Sequence, residues 1–376
     1  MRHLFIWAVI GMSTGCSAAD SIPGAIDSEQ GKIDVTVVTE GLNSPWSLAF
    51  LPDGRMLVTE RPGKLRIVAA DGTAGEPIKG VPSVHAQGQG GLLDVVLDPK
   101  FAENRTIFLS YAASGRNGAH TAVMRAVLDG DQLTDKKIIF RQDPPLDNGF
   151  HFGSRLAFAP DGLLYVTLGE RNQYRDKAQE LDNSIGKVVR IDRDGKTPES
   201  NPFRGKGRAN DAVFSYGHRN PQGAAIHPAT GQLWVHEHGP MGGDEINVIE
   251  AGSNYGWPVV TYGREYSGGD IGEGSEKEGM APPLYYWVPS IAPSGMAFLT
   301  DERAGPWQGD LFVGSLKFAL LVRLELENGK VVHEERLLAG MNDRVRDVRA
   351  GPDGALYVLT ESKGRILRLM PKPAGD

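Results

Sequence analysis

The 376-residue chain contains a single cysteine, Cys16. It can form no internal disulfide, so its stability has to come from packing. Long apolar runs are missing too: "LFIWAVIGM" near the N-terminus is too short to cross a bilayer as a stable helix. The formal net charge is -7 and no basic stripe interrupts it, which argues against nucleic acid as a partner. Helical periodicity is scarce. What the chain has in quantity is glycine and proline, 48 and 24 residues, a composition that favours many short strands joined by turns.

The N-terminus reads as an export signal over residues 1–19. Arg2 and His3 precede the apolar run, and the small-residue stretch "STGCSAAD" follows it. Cys16 sits where a bacterial lipoprotein signal places its lipidated cysteine, although Ser13 matches poorly the leucine usual three residues earlier. Cleavage after Ala19 without lipidation is the alternative. The expected location is periplasmic or exported, with an anchor through Cys16 left open. Residues 20–31 read as a linker and 32–372 as one domain.

One phrase recurs six times: an apolar strand, a turn of the Pro-Asp-Gly kind, and a second apolar strand. It appears as "LAFLPDGRMLVTE", "VVLDPKFAENRTIFLSY", "LAFAPDGLLYVTLGE", "AAIHPATGQLWVHE", "MAFLTDERAGPWQGDLFVGS" and "VRAGPDGALYVLTE". With Phe50, Leu97, Phe158, Ile226, Phe298 and Ala350 as equivalent positions, the intervals of 47, 61, 68, 72 and 52 residues each accommodate four short strands and loops. An all-β, six-bladed β-propeller of four-stranded antiparallel blades follows. "KIDVTVV" near the N-terminus has no blade of its own and is expected to pair with "RILRLM", closing the ring and protecting both free edges. A pair of β-sandwiches is the competing fold.

Four polar clusters exceed what turns require. "QGQGGLLDVV" carries Gln87 and Gln89. "NGFHFGSRLAF" places His151 just ahead of a blade's first strand, where a general base could face a central site; a satisfied structural histidine is the plainer reading. "GHRNPQG" sets Arg219, Asn220 and Gln222 close together and leads into "HEHGPMGGDEINVIEAGSNYGWP". That stretch bends sharply through Gly and Pro and offers carbonyl oxygens beside Asp244 and Glu245, hard ligands of the kind calcium prefers. Finally, Lys317 stands in "GSLKFALLVRL", and Arg344 and Arg346 in "NDRVRDVRAGPDG". The two arginines alternate and share a face, so they repel unless an anion lies between them, unless Asp343 and Asp347 pair with them at the surface.

These motifs resemble the soluble quinoprotein aldose and glucose dehydrogenases, six-bladed propellers that use pyrroloquinoline quinone (PQQ) and calcium. The likeness runs from "GLNSPWSLAFLPDG" to "GRILRL" and is most specific in "GHRNPQG", "GPMGGDEINVIEAGSNYGWP", "GQGGLL", "SIAPSG" and "RVRDV". It implies oxidation of the C1 hydroxyl of aldose sugars to lactones, with electrons passed to an artificial or respiratory acceptor. His151 is implied as the general base, and Gln89 as a substrate contact that helps orient it. Lys317, Arg344, Arg346, Arg219 and Asn220 are implied as partners of the PQQ carboxylates and quinone, with Gln222 shaping the same wall. Asp244 is implied as a partner around the cofactor arginine. The Gly239 and Pro240 carbonyls are implied as ligands of a catalytic calcium, and Glu245 with the Tyr255 carbonyl as a second, structural site. His218 yields the role of base to His151.

Some positions depart from the glucose-specific pattern. Phe150 stands where an aspartate precedes the base, His238 replaces a glutamine, Val288 replaces a tryptophan, and the loop after "TLG" reads "ERNQ". The departures favour the broader aldose branch and leave unidentified what orients His151. A calcium-dependent lactonase would not need the three cations, and a non-catalytic sugar-binding propeller would not need His151.

Overall fold

The protein is described by a computed structural model covering residue 22 and residues 24–372. Its strands form six antiparallel sheets arranged as blades around one axis. Blade I comprises Pro45–Phe50, Met56–Glu60, Lys64–Val68 and Ala74–Pro77. Blade II comprises Leu92–Leu97, Thr106–Gly115, Gly118–Asp129 and Gln132–Arg141. Blade III is built from Leu156–Phe158, Leu164–Leu168, Lys187–Ile191 and Val213–Tyr216, and blade IV from Pro221–Ile226, Leu233–Glu237, Asp244–Val248 and Tyr285–Trp287. Blade V holds Pro293–Phe298, Leu311–Ser315, Leu320–Glu327 and Lys330–Leu337. Blade VI holds Val345–Ala350, Leu356–Thr360 and Ile366–Pro371.

The fourth strand of blade VI comes from the other end of the chain: Gly31–Thr39 pairs antiparallel with Ile366–Pro371, as the sequence predicts. A shorter strand, Ala25–Ser28, then pairs with Gly31–Thr39. Part of the segment read as linker is therefore sheet, because a free edge in register with it was there to be covered. The export-signal residues 1–19, Cys16 included, lie outside the described residues.

Each of the six equivalent positions closes the innermost strand of its blade. Inner strands are edges, which is why Pro45, Pro221 and Pro293 can open three of them without breaking a ladder. Apolar side chains fill the six seams between neighbouring blades. Leu57 and Leu65 of blade I meet Val95 and Leu109 of blade II, for example, and Leu48 and Val58 of blade I meet Leu359 and Ile366 of blade VI.

Near the axis the packing turns ionic. Asp94 and Asp347, from the inner strands of blades II and VI, are buried with Arg155, and the half-buried Arg349 packs against them. Arg155 reaches Asp94 at 3.2 Å and Asp347 at 2.9 Å, while Arg349 reaches Asp94 and Asp347 at 2.8 Å each. Burial opposes ionisation of Asp94, but the two guanidiniums overcome it and hold the carboxyl below its usual range. Backbone N–H groups of Leu48 and Leu156 also donate to the two aspartates, so the network ties four blades together.

Candidate functional site

Above this network, a cavity of about 380 Å³ is lined by the first residues of inner strands, the loops that enter them and the loops that leave the second strands. Trp46 and Arg61 come from blade I, Asn220 and Gln222 from blade IV, and Arg344, Arg346 and Glu361 from blade VI. Gln89, Phe152, Gly153 and His238 complete much of the remaining wall. Gln222 holds the wall in shape: its amide nitrogen donates to Asn220 Oδ1 at 3.3 Å, and its oxygen accepts from Arg346 at 3.2 Å. Asn220 Oδ1 is also met by the Gly153 N–H, which leaves Asn220 Nδ2 for the cavity.

The arginine pair differs from the local reading. Arg344 precedes the strand and lies 3.3 Å from Glu361, and Arg346 lies 3.8 Å from the same oxygen. The intervening anion is thus Glu361, from the next strand's end. Asp343 instead accepts from the Ser362 and Lys363 backbone, and Asp347 belongs to the axial network. Burial lowers Arg346 to about 10, so it stays cationic at neutral pH, and among the described residues its Nε has no partner. Lys317 is exposed, with its ammonium 5.2 Å from the Phe318 ring, and does not line the cavity, although its neighbour Leu316 does.

His151 lies beside Phe152 and Gly153 at the edge of this wall. Gln89 holds it through the backbone: its Oε1 accepts the His151 N–H at 2.8 Å. The ring is held by Glu170, whose Oε1 stands 2.8 Å from His151 Nδ1. Among the described residues, Nε2 has no protein partner. The contact requires glycine at 169, where a Cβ would sit 2.0 Å from the His151 carbonyl oxygen. Burial, then Arg219 and Arg171, push the imidazole well below its usual value, and burial lifts Glu170 to about 8. Below about 8 the carboxyl proton lies in the Nδ1–Oε1 contact and the neutral ring carries its own proton at Nε2; once the pair loses one proton, the one that remains sits at Nδ1 against the Glu170 carboxylate. In that ionised form Nε2 is free to accept a proton.

Glu170 escaped the sequence reading, yet the repeat carried its signal. Glu60, Glu170, Glu237 and Glu361 stand at or just past the end of their blades' second strands, and each holds the loop entering its own blade. Glu60 accepts from the Asn43 N–H at 2.7 Å, Glu237 holds His218 Nδ1 at 2.8 Å, and Glu361 faces Arg344. The His218 pair is sealed: Nε2 is 2.8 Å from Ser215 Oγ, and the ring stacks on Tyr255 at 4.8 Å. His151 is the copy left open.

Behind this wall lies a small cleft lined by Arg219, Glu237, Gly239, Glu245 and Tyr255. Arg219 donates to the carbonyls of His238 and Gly239 at 3.0 and 2.9 Å, and among the described residues its Nε is unpartnered. Asp244 makes no contact with Arg219. Its two oxygens accept from Gly239 N, Ser290 Oγ, Ile291 N and Ala292 N, pinning the loops of blades IV and V together. Burial first, and then Glu237, push the Glu245 carboxyl well above its usual range. Asn247 bridges these two acids at 3.2 and 3.3 Å. His238 lines the cavity, donates from Nε2 to the Pro293 carbonyl at 2.6 Å, and is lowered by burial to about 4, so it is neutral.

A six-bladed propeller with a cationic, histidine-edged pocket at one end of its axis is the class that fold and site define. Residues 42–368 match the family described as Glucose / Sorbosone dehydrogenase. The chain is 47% identical over 347 residues to Aldose sugar dehydrogenase YliI of Escherichia coli (strain K12), covering 90% of this chain and 93% of that protein. It is 28% identical over 417 residues to Quinoprotein glucose dehydrogenase B of Acinetobacter calcoaceticus, covering 89% and 86%. The PQQ-bound structure of an Aldose Sugar Dehydrogenase from Streptomyces coelicolor superposes with a TM-score of 0.75 at 30% identity, over 90% of this chain and 98% of that one. The chain belongs to the glucose/sorbosone dehydrogenase family.

Proposed function

We propose that the protein oxidises the C1 hydroxyl of aldose sugars to the lactone, with PQQ in the cavity and calcium at the carbonyl-lined wall. The observation that carries this reading is the His151–Glu170 pair, with an open Nε2, at the edge of a pocket where, among the described residues, the buried Nε of Arg346 has no partner. Unpaired buried donors at Arg346 Nε and Arg219 Nε suit a multiply anionic, carbonyl-bearing ligand. Arg346, Arg344, Asn220 and Arg219 would hold it, with Lys317 reaching from the rim. Cation donors are also present. Among the described residues, no donor reaches the carbonyl oxygens of Pro240 or Tyr255, and the crowded acids Glu237 and Glu245 would gain from a cation between them.

When bound, PQQ supplies the two-electron sink for the C1 hydride and calcium a Lewis acid beside it. His151 Nε2 takes the C1 hydroxyl proton, and Glu170 stabilises the resulting imidazolium through Nδ1. Such general-base assistance contributes roughly 10²–10⁴-fold. Gln89 and Arg171 fix the loop that aims the ring. A dye or a respiratory acceptor would take up the electrons. The signal at residues 1–19 would place this chemistry outside the cytoplasm. Among the described residues, no helix is long and apolar enough to cross a membrane.

The test is reconstitution of purified protein with PQQ and calcium. Adding an aldose should generate the reduced-quinone spectrum and drive dye reduction, with the lactone as product. No spectral change across a panel of aldoses would overturn the reading.

A further inference from the structure

Arg171 is fully buried, and among the described residues no carboxylate lies within ion-pair distance of it. Its donors instead converge on one loop. Nε donates to the Phe150 carbonyl at 2.8 Å, and Nη2 to the Asn148 carbonyl at 2.6 Å and to Asn148 Oδ1 at 3.2 Å. Nη1 donates to the Ala119 carbonyl at 2.8 Å, in the neighbouring blade. Asn148 answers by donating to the Arg171 carbonyl at 2.6 Å. The guanidinium also lies 4.0 Å from the centre of the Phe152 ring, part of the cavity wall.

The residues so gripped, Asn148, Phe150 and Phe152, bracket His151. The backbone needs such a grip, because His151 and Arg171 both have left-handed φ angles, 49° and 62°, which ordinary residues adopt only at a cost. Burying a guanidinium without a counter-ion is costly, and methionine would fill the space without that cost. Three charged neighbours act on the ring: Glu170 at Nδ1, and Arg171 and Arg219 through space, with Arg175 acting on Glu170.

We infer that Arg171 is a positioning residue for sugar oxidation. Together with the adjacent Glu170 it forms a two-part clamp, in which the carboxylate sets the His151 ring and the guanidinium sets the backbone on both sides. Its positive charge also opposes premature protonation of Nε2. The inference rests on His151 being the base.

The experiment compares R171K, R171Q and H151Q, each reconstituted with PQQ and calcium and followed by dye reduction, PQQ titration and thermal melting. Lysine keeps the charge but loses the planar fork. R171K should lose at least tenfold in kcat, with KM and PQQ affinity within twofold of wild type and the acid limb of kcat/KM unmoved. R171Q should lose as much and also move that limb to higher pH. R171K turning over within twofold of wild type while H151Q is inactive would overturn the inference, as would a loss matched by weaker PQQ binding or failure to fold. Retained turnover in H151Q would overturn the reading of His151 as base instead.

Discussion

Glu170 Oε1 lies 2.8 Å from Nδ1 of His151, and the spacing of 19 residues is repeated by Glu237 and His218 in the next blade. One clasp is buried at both ring nitrogens and the other is open at Nε2. In the open copy, the carboxylate can stabilise charge that arrives on the ring. Glu170→Gln keeps the length but not that charge, so kcat should fall about 10²-fold. PQQ affinity, read by fluorescence titration, should be unchanged. The matched substitution Glu237→Gln should lower the melting temperature through the sealed clasp.

The same carboxyl makes stability depend on pH. An unfolded glutamate loses its proton near 4.5, whereas Glu170 in the folded protein holds it up to about 8. Between these values folding takes up a proton, so this residue's stabilising contribution is complete below about 4.5 and is lost as the pH rises to about 8. Glu170→Gln removes the uptake. The melting temperature of the variant relative to wild type should climb between pH 5 and pH 8, and a flat difference would contradict it.

Arg346 tests the anion pocket. Its unpartnered Nε and cavity-facing position predict that Arg346→Gln weakens PQQ binding about 10–100-fold, the worth of a charge-assisted hydrogen bond. Calorimetric titration of apoprotein measures this without turnover.

The axial network predicts a stability effect with no change in cofactor affinity. Asp94→Asn leaves Arg155 and Arg349 with only Asp347, and breaking a buried ion pair in this way costs about 3–5 kcal/mol. Urea denaturation should give a lower midpoint with the same slope.

Calcium removal should act through Glu245. If a cation relieves the repulsion between Glu237 and Glu245, chelation lowers the melting temperature and added calcium restores it. In Glu245→Gln both shifts should shrink to nearly nothing.

The blades were legible because the cues are local. Pro-Asp-Gly turns and alternating apolar strands put Phe50, Leu97, Phe158, Ile226, Phe298 and Ala350 at the inner-strand ends without any knowledge of neighbours. The pocket arginines were legible as unpaired charge. Their partner was not: Asp343 and Asp347 are adjacent in sequence, yet Glu361 is the acid that reaches them, because the hairpin returns it to the same face. Glu170 was hidden for a similar reason. Its approach to His151 depends on a close crossing of two loops at Gly169, a tertiary event that no local pattern announces.

Blade VI is completed by a strand from the other end of the chain, and the cavity is walled on one side by Arg61 and Trp46 of blade I and on the other by Arg344, Arg346 and Glu361 of blade VI. A ligand held by both sides therefore bridges the joint where the ring would first come apart. It acts as a rivet, and a rivet set only in the finished ring slows its opening without hastening its assembly.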